Sequence, residues 1–178
     1  FEETVYQELT FCARAQGVDF TEEEALKVLE SYQLLEQKED LPINLSMGKK
    51  HLLTILSVLF SSADVVILDE PTLGMDLHLK NELENIIQYL KDSGKTVIII
   101  SHEIPLVFKI TDDIIILNDG EKLAQDSKLN IAIDSEILER TNINPPAVVV
   151  LSKYFNLPKI CFDVDSFVEE FTKQLHQN

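Results

Sequence analysis

The sequence has few basic residues and few cysteines. Its 178 residues include 15 Lys and Arg against 31 Asp and Glu, which gives a net charge of −16. A chain this acidic repels phosphate backbones, and no cluster of basic residues offsets the charge, so we expect no nucleic-acid partner. Cys12 and Cys161 lie far apart and lack the spacing of metal ligands. Two buried thiols in a cytosolic protein are therefore favoured over a disulfide.

The sequence also lacks a long apolar run. The longest, at residues 147–151 and 97–100, fall far short of the roughly 20 residues that cross a bilayer. No signal peptide opens the chain, and its start at Phe1 leads us to expect that it begins inside a longer protein. Since 45% of the residues are apolar, the chain can fill the core of one domain or of one domain with a small appendage.

Glycine is scarce, and none of the glycines belongs to a phosphate-cradling P-loop. Gly94-Lys95-Thr96 resembles the end of one, but the full pattern requires glycine at position 89, where the chain has Tyr89. A P-loop also leads from a strand into a helix, whereas Gly94 is predicted to end a helix before a strand. The other glycines offer no substitute: Gly17, Gly48, Gly74 and Gly120.

Apolar periodicity predicts helices in the first third of the chain and an alternation of strand and helix after it. One helix should run from Val5 to Gly17, a second should begin at the capping box of Thr21 and Glu24, and a third should follow Ser46. The third should bury a row of side chains: Leu52, Leu53, Leu56, Leu59 and Phe60. Buried strands at 65–68 and 97–100 flank a helix at 78–91, which implies a parallel sheet in an α/β fold.

The end of the chain is predicted to contain a hairpin and short helices. Residues 114–117 and 122–124 flank Asn118-Asp119-Gly120, a favourable hairpin turn. Asp134 is placed to cap a short helix, and residues 167–175 are amphipathic.

Two acidic residues follow the first predicted strand. Asp69 and Glu70 lie at the C-terminal end of residues 65–68, where a magnesium-bound phosphate needs oxygen ligands on a rigid element. Asp69 would hold Mg²⁺ through its water shell, and Glu70 would orient or deprotonate the water that attacks a terminal phosphoryl group. The alternative is a core strand that ends in two solvated acids.

A second candidate site begins at Ser46. As an N-cap it would leave the amides of Met47, Gly48 and Lys49 at the start of a helix, where the helix dipole favours an anion such as a γ-phosphate. A capped helix without a ligand is the commoner meaning of such a sequence.

His102 follows the second strand, so a parallel sheet would bring it to the same edge as Asp69 and Glu70. There it could donate a hydrogen bond to a γ-phosphate, although a histidine after a strand is usually only a polar loop residue.

The order of these motifs resembles the second half of an ATP-binding-cassette (ABC) ATPase. Leu45-Ser46-Met47-Gly48-Lys49 resembles the signature loop, in which Met47 and Lys49 replace a glycine and a glutamine of the usual Leu-Ser-Gly-Gly-Gln. Residues 65–71 resemble the Walker B strand, residues 73–76 the D-loop, and Ser101-His102 the switch histidine. The resemblance covers residues 1–124. Residues 1–8 are similar to energy-coupling-factor ATPases, which drive vitamin, cobalt or nickel uptake, and residues from 145 onward to their C-terminal extension, which helps to hold the dimer together.

The resemblance implies a partial RecA-like P-loop NTPase sheet with an ABC helical subdomain and a C-terminal helical tail. The expected divisions are a signature subdomain at 1–60, a RecA-like half at 61–130 and the tail at 131–178. Glu70 and His102 would be catalytic, Asp69 would bind Mg²⁺, the signature loop would bind ATP in trans, and Gly74 and Asp76 would contact the partner subunit. The missing P-loop strand would leave two open apolar edges in the sheet.

The function implied is that of an ATPase subunit using ATP and Mg²⁺, paired with a second ABC ATPase and docked on membrane-embedded transporter subunits. Such a protein would be cytoplasmic and peripheral on the inner face of the cell membrane. Without its P-loop, the chain alone is predicted to be inactive. The alternative is a nucleotide-free dimerisation or interaction module. An ABC ATPase of DNA repair or translation is disfavoured by the charge and by the short spacing between Ser46 and Asp69.

Overall fold

The computed structural model describes residues 1–177, so Asn178, the last residue of the predicted tail, lies outside the described residues. The chain divides into two compact units, one formed by Phe1–Ser101 and a second that begins at His102. The expected divisions at residues 60 and 130 stay predictions. Within the described residues, every helix is too short or too polar to cross a membrane.

The first unit begins with three helices, α1 (Val5–Gln16), α2 (Glu22–Ser31) and α3 (Met47–Ser57). Gly17 ends α1 in a left-handed conformation, at φ 66°. The predicted capping box of α2 is confirmed: the amide of Glu24 donates to Thr21 Oγ1 at 3.2 Å and the amide of Thr21 donates to Glu24 Oε2 at 2.7 Å. Two donors at the start of α2 are thereby satisfied.

Helices α1 and α3 pack together around a fully buried apolar core. Its members include Val5, Leu9, Ala13, Leu52, Leu53 and Leu56. The prediction that Leu59 and Phe60 are also buried is wrong, since both are half-buried. Helix α3 ends at Ser57, and residues 58–60 form a 3₁₀ turn, so these two side chains leave the buried face of the helix.

A parallel strand pair with a helical crossover follows. Strand β1 (Val65–Asp69) pairs in parallel with β2 (Thr96–Ile100), and α4 (Leu77–Asp92) connects them. Helix α4 packs on β2 and buries four side chains: Leu83, Ile86, Ile87 and Leu90. The predicted parallel α/β arrangement is confirmed.

The prediction that both strands are buried is wrong. Val65, Ile67, Ile98 and Ile100 lie 46–63% exposed, whereas Val66 and Leu68 on the opposite face of β1 are buried. Parallel strands are buried on both sides only where elements cover both faces. In the described part of the first unit the sheet has two strands, so each has one edge without a strand partner.

The second unit contains a β-hairpin and five helices within the described residues. Helix α5 (Ile104–Ile110) precedes β3 (Asp113–Asn118) and β4 (Glu121–Ser127), which pair antiparallel. Asp119 and Gly120 both have positive φ, 49° and 79°, which confirms the predicted hairpin turn. The remaining helices are α6 (Lys128–Ile133), α7 (Ser135–Thr141), α8 (Ala147–Tyr154) and α9 (Val164–Gln177).

The core of the second unit lies between the hairpin and its helices. Its buried members are Phe108, Ile114, Ile116, Ile131, Ala132 and Val149. Asp134 caps α7 as predicted, since its Oδ1 accepts a 3.0 Å hydrogen bond from the amide of Ile137.

Candidate functional site

The C-terminal ends of the two parallel strands lie side by side. Asp69, the last residue of β1, pairs in register with Ile100, the last residue of β2. The amide of Glu70 donates a 2.8 Å hydrogen bond to the carbonyl oxygen of Ile100. Asp69 is exposed and Glu70 is half-buried. Two carboxylates therefore leave the sheet at the edge where ligands bind in open α/β folds.

Glu70 has an unusual backbone conformation. Its φ is +45°, in the left-handed region. Among the described residues, the other non-glycine positions with positive φ include three Asn or Asp residues, which tolerate that region, whereas Glu seldom adopts it. Its carbonyl oxygen accepts a 3.2 Å hydrogen bond from the amide of Leu73, so a tight turn begins here. Backbone strain of this kind is concentrated at functional sites in proteins.

Ser46 caps α3, as predicted. Its Oγ accepts a 3.4 Å hydrogen bond from the amide of Lys49, and its carbonyl oxygen accepts one of 2.9 Å from the amide of Lys50. The amide of Lys49 is therefore engaged by the cap. That an anion meets the other two amides, those of Met47 and Gly48, stays a prediction.

The side chain of Lys49 contacts its own chain. Its ammonium donates to the carbonyl oxygen of Gln33 at 3.3 Å and to Oε1 of Gln37 at 3.1 Å. These contacts join α3 to the segment that follows α2. Sequence spacing gave no signal for Gln33 or Gln37.

The signature-like loop and the D-loop-like turn are in direct contact. A Cβ atom added to Gly48 would lie 2.6 Å from the carbonyl oxygen of Gly74, so the two backbones touch. Asp76 caps α4 by accepting a 2.9 Å hydrogen bond from the amide of Leu79. The structure thus brings Met47 and Gly48 against Gly74 within one unit, a contact that sequence reasoning missed. The one sequence feature that could have indicated this contact is the glycine at both positions, since two backbones approach closely where side chains are absent.

His102 lies two residues beyond the end of β2 and begins the second unit. Its carbonyl oxygen accepts a 3.1 Å hydrogen bond from the amide of Ile104 at the start of α5. Its placement against Asp69 and Glu70 stays a prediction.

The carboxylates at the end of β1 supply oxygen donors, the kind that Mg²⁺ prefers. Within the described residues, no group of three or more His, Cys, Asp or Glu side chains converges on one point. Mg²⁺ typically keeps several waters and takes one or two protein carboxylates together with phosphate oxygens. Asp69 fits such a donor, and its contact with Mg²⁺ through water stays a prediction.

Comparison with known proteins decides the family. A family model described as "AAA domain, putative AbiEii toxin, Type IV TA system" matches residues 18–108. The "Energy-coupling factor transporter ATP-binding protein EcfA3" of Oenococcus oeni is 32% identical over 99% of this chain and 62% of its own length. The chain belongs to the ABC ATPase family. A "Putative ABC transporter ATP-binding protein" of Clostridium perfringens is 30% identical over 90% of this chain and 29% of its own length.

Solved structures agree with this assignment at the level of the fold. One described as "Structure of ATP binding subunit of ABC transporter" matches with a TM-score of 0.69 and 22% identity, over 80% of this chain and 62% of that one. The predicted membership of the RecA-like P-loop fold is thereby confirmed. The chain spans about three fifths of the Oenococcus relative and less than a third of the Clostridium relative.

Proposed function

We propose that this chain is part of the ATP-binding and ATP-hydrolysing subunit of an ABC transporter of the energy-coupling-factor type. The observation that carries the proposal is the contact between the N-terminus of α3 and the Gly74 turn. It places a capped helix end and a turn on one surface, as a subunit requires if it closes on nucleotide held by a second ATPase.

The residues at the strand ends would then do the chemistry. ATP with Mg²⁺ supplies the phosphoryl group whose transfer to water drives transport. Asp69 would hold the metal through water, and Glu70 would orient or deprotonate the attacking water. His102 would donate a hydrogen bond to the terminal phosphate. The fixed backbone of Glu70 supports this role, because a base must be held in place to act on one water.

The helix end would close the site from the partner side. The signature-like loop would bind ATP held by the second subunit through Leu45, Ser46, Met47, Gly48 and Lys49. Gly74 and Asp76 would contact that subunit. The whole protein would lie in the cytoplasm against the membrane, docked on membrane-embedded subunits. These roles for the complete protein rest on its relatives' names and on the surface just described.

Calorimetry with MgATP tests whether this chain needs a P-loop from elsewhere to bind nucleotide. The amides and lysine of a P-loop supply most phosphate contacts in such enzymes, and this sequence contains none. We therefore expect the chain alone to bind MgATP more weakly than the micromolar range and to hydrolyse none. Micromolar affinity for MgATP would contradict the proposal.

The exposed face of the β1–β2 sheet favours a second candidate, a nucleotide-free dimerisation or interaction module. Val65, Ile67, Ile98 and Ile100 form an apolar surface that parallel strands usually bury. Light scattering of the chain with the complete Oenococcus relative separates the two candidates. Association that is equally strong with and without MgATP would favour the module, whereas association only with MgATP favours the ATPase.

A further inference from the structure

The side chain of Met47 lies against Gly74. A Cβ atom added to Gly74 would meet Cγ of Met47 at 2.9 Å, Sδ at 3.1 Å and Cβ at 3.2 Å. Three atoms of the methionine side chain therefore cover the Cα of Gly74, with no room for a side chain between them. The rest of Met47 is open to solvent, since the residue is 53% exposed.

The backbone beneath this contact is equally close. A Cβ atom added to Gly48 would lie 2.6 Å from the carbonyl oxygen of Gly74 and 2.7 Å from Cδ1 of Leu79. Gly48 is buried, although it is the second residue of α3. The first turn of α3 thus rests on the Gly74 turn through main-chain atoms, and the thioether of Met47 lies beside that contact.

The Gly74 turn is held at both ends by other groups. The amide of Leu73 donates to the carbonyl oxygen of Glu70 at 3.2 Å, and the amide of Met75 donates to that of Thr72 at 3.0 Å. Asp76 then caps α4. Gly74 itself is exposed and has φ +74°, and Met47 contacts only the side of it on which a Cβ would lie.

We propose that Met47 is a positioning residue that clamps the Gly74 turn onto the first turn of α3. The clamp makes residues 46–48 and 74–76 one rigid surface, so little conformational entropy is lost when a second ATPase closes on it. This inference rests on the proposed function for the identity of the partner. The resemblance to ABC ATPases alone predicts the opposite effect. The usual signature loop has a glycine where this chain has Met47, so Met47→Gly would then strengthen closure on the second ATPase.

Hydrogen exchange on the full chain without nucleotide tests the clamp itself. The amide of Met75 is the reporter, because its hydrogen bond to Thr72 opens when the turn moves. Met47→Ala should raise its exchange rate about tenfold, whereas Met47→Leu, which keeps the side-chain volume, should leave it unchanged. The capped amide of Glu24 in α2 should exchange equally in all three proteins. Unchanged exchange at Met75 in Met47→Ala would overturn the clamp.

Association with the complete Oenococcus relative in MgATP tests what the clamp does. Met47→Ala should associate about tenfold more weakly than the parent, and Met47→Leu, which restores the side-chain volume over Gly74, should recover most of that loss. Association of Met47→Ala as strong as the parent's would overturn the positioning role. Failure of the parent itself to associate would instead refute the proposed function. The contact of Met47 with the Gly74 turn would then be tested by the exchange rates alone.

Discussion

The amide of Glu70 donates a 2.8 Å hydrogen bond to the carbonyl oxygen of Ile100, which joins the ends of β1 and β2. This bond extends the parallel register by one residue beyond the pair of Asp69 and Ile100. Because Glu70 also has a positive φ, its side chain leaves the chain in a direction set by the sheet and by the turn that follows. Substitutions that keep its shape should therefore keep its position.

Glu70→Gln is expected to stop turnover without preventing nucleotide binding. The protein for this test is a chimera in which this chain replaces the matching 62% of the Oenococcus relative. The amide has the size of the carboxylate but cannot accept a proton, so the hydrolysis rate should drop at least about a hundredfold while ATP binding survives. Steady-state phosphate release and nucleotide binding measure the two effects.

Glu22→Gln is the matched control, since it removes the same charge at an exposed position in the first turn of α2. It should hydrolyse ATP like the parent chimera. A Glu70→Gln chimera that also does so would show that Glu70 has no part in the reaction.

Gly48→Ala should destabilise the chain, although alanine is the better helix former. Within a helix alanine is favoured over glycine by about 1 kcal/mol. The added Cβ would lie 2.6 Å from the carbonyl oxygen of Gly74, however, and relief of that overlap requires backbone movement. We expect a net loss of about 1–3 kcal/mol in the free energy of unfolding, measured by urea denaturation.

Gly94→Ala provides the comparison, because a Cβ there meets nothing within 4 Å and only its φ of +80° opposes the change. It should cost about 1 kcal/mol from backbone strain alone. Stabilisation by Gly48→Ala would show that α3 and the Gly74 turn are not in close contact.

Asp163 should stabilise the start of α9 in a pH-dependent manner. The amide of Ser166 donates to its Oδ1 at 2.8 Å, and this hydrogen bond lowers the pKa of Asp163 below its ordinary value of 3.8. A lowered folded-state pKa means that the stabilisation is complete above the unfolded-state value and is lost as the pH falls through the folded-state value. Asp163→Ala should therefore cost about 1 kcal/mol near neutral pH.

The measurement is the difference in unfolding free energy between parent and Asp163→Ala across the acid range. It should shrink as the pH drops below about 4. Asp163→Asn keeps an acceptor for the Ser166 amide but loses the charge, so its deficit at neutral pH should be smaller than that of Asp163→Ala and should also shrink as the pH falls. A difference that stays constant down to pH 2 would contradict the assigned role of the carboxylate.

Local sequence patterns predicted the helices and strands well, but they predicted the burial of the strands less well. The capping box at Thr21, the cap at Ser46 and the strand–helix–strand order from Val65 to Ile100 each depend on neighbouring residues, and each is present. The burial of Ile67 and Ile98 was predicted wrongly. A run of β-branched residues shows that a strand forms, but not whether both faces of its sheet are covered.

In the candidate site, too, short-range features were predicted and contacts between separate segments were not. Sequence placed Asp69 and Glu70 at a strand end and Ser46 at a helix start, since both follow from short-range periodicity. The contacts of Lys49 with Gln37 and of Met47 with Gly74 join segments far apart in sequence. Such contacts depend on how the helices pack, and a single sequence does not encode that in its spacing.

Ser46→Arg tests most directly whether this chain closes on nucleotide held by another subunit. The substitution places a bulky cation at the N-terminus of α3, where Ser46 is exposed and where the proposed phosphate would approach the helix end. Ser93→Arg is the control. It adds the same cation at an exposed position, at the C-terminal end of α4. Loss of the Ser46 cap costs about 1 kcal/mol, so both variants should remain folded by circular dichroism.

The measurement is light scattering of each protein with the complete Oenococcus relative, with and without MgATP. We expect ATP-dependent association of the parent and of Ser93→Arg, and none of Ser46→Arg. Equal ATP-dependent association by Ser46→Arg and the parent would show that this helix end does not touch nucleotide, and would contradict the account.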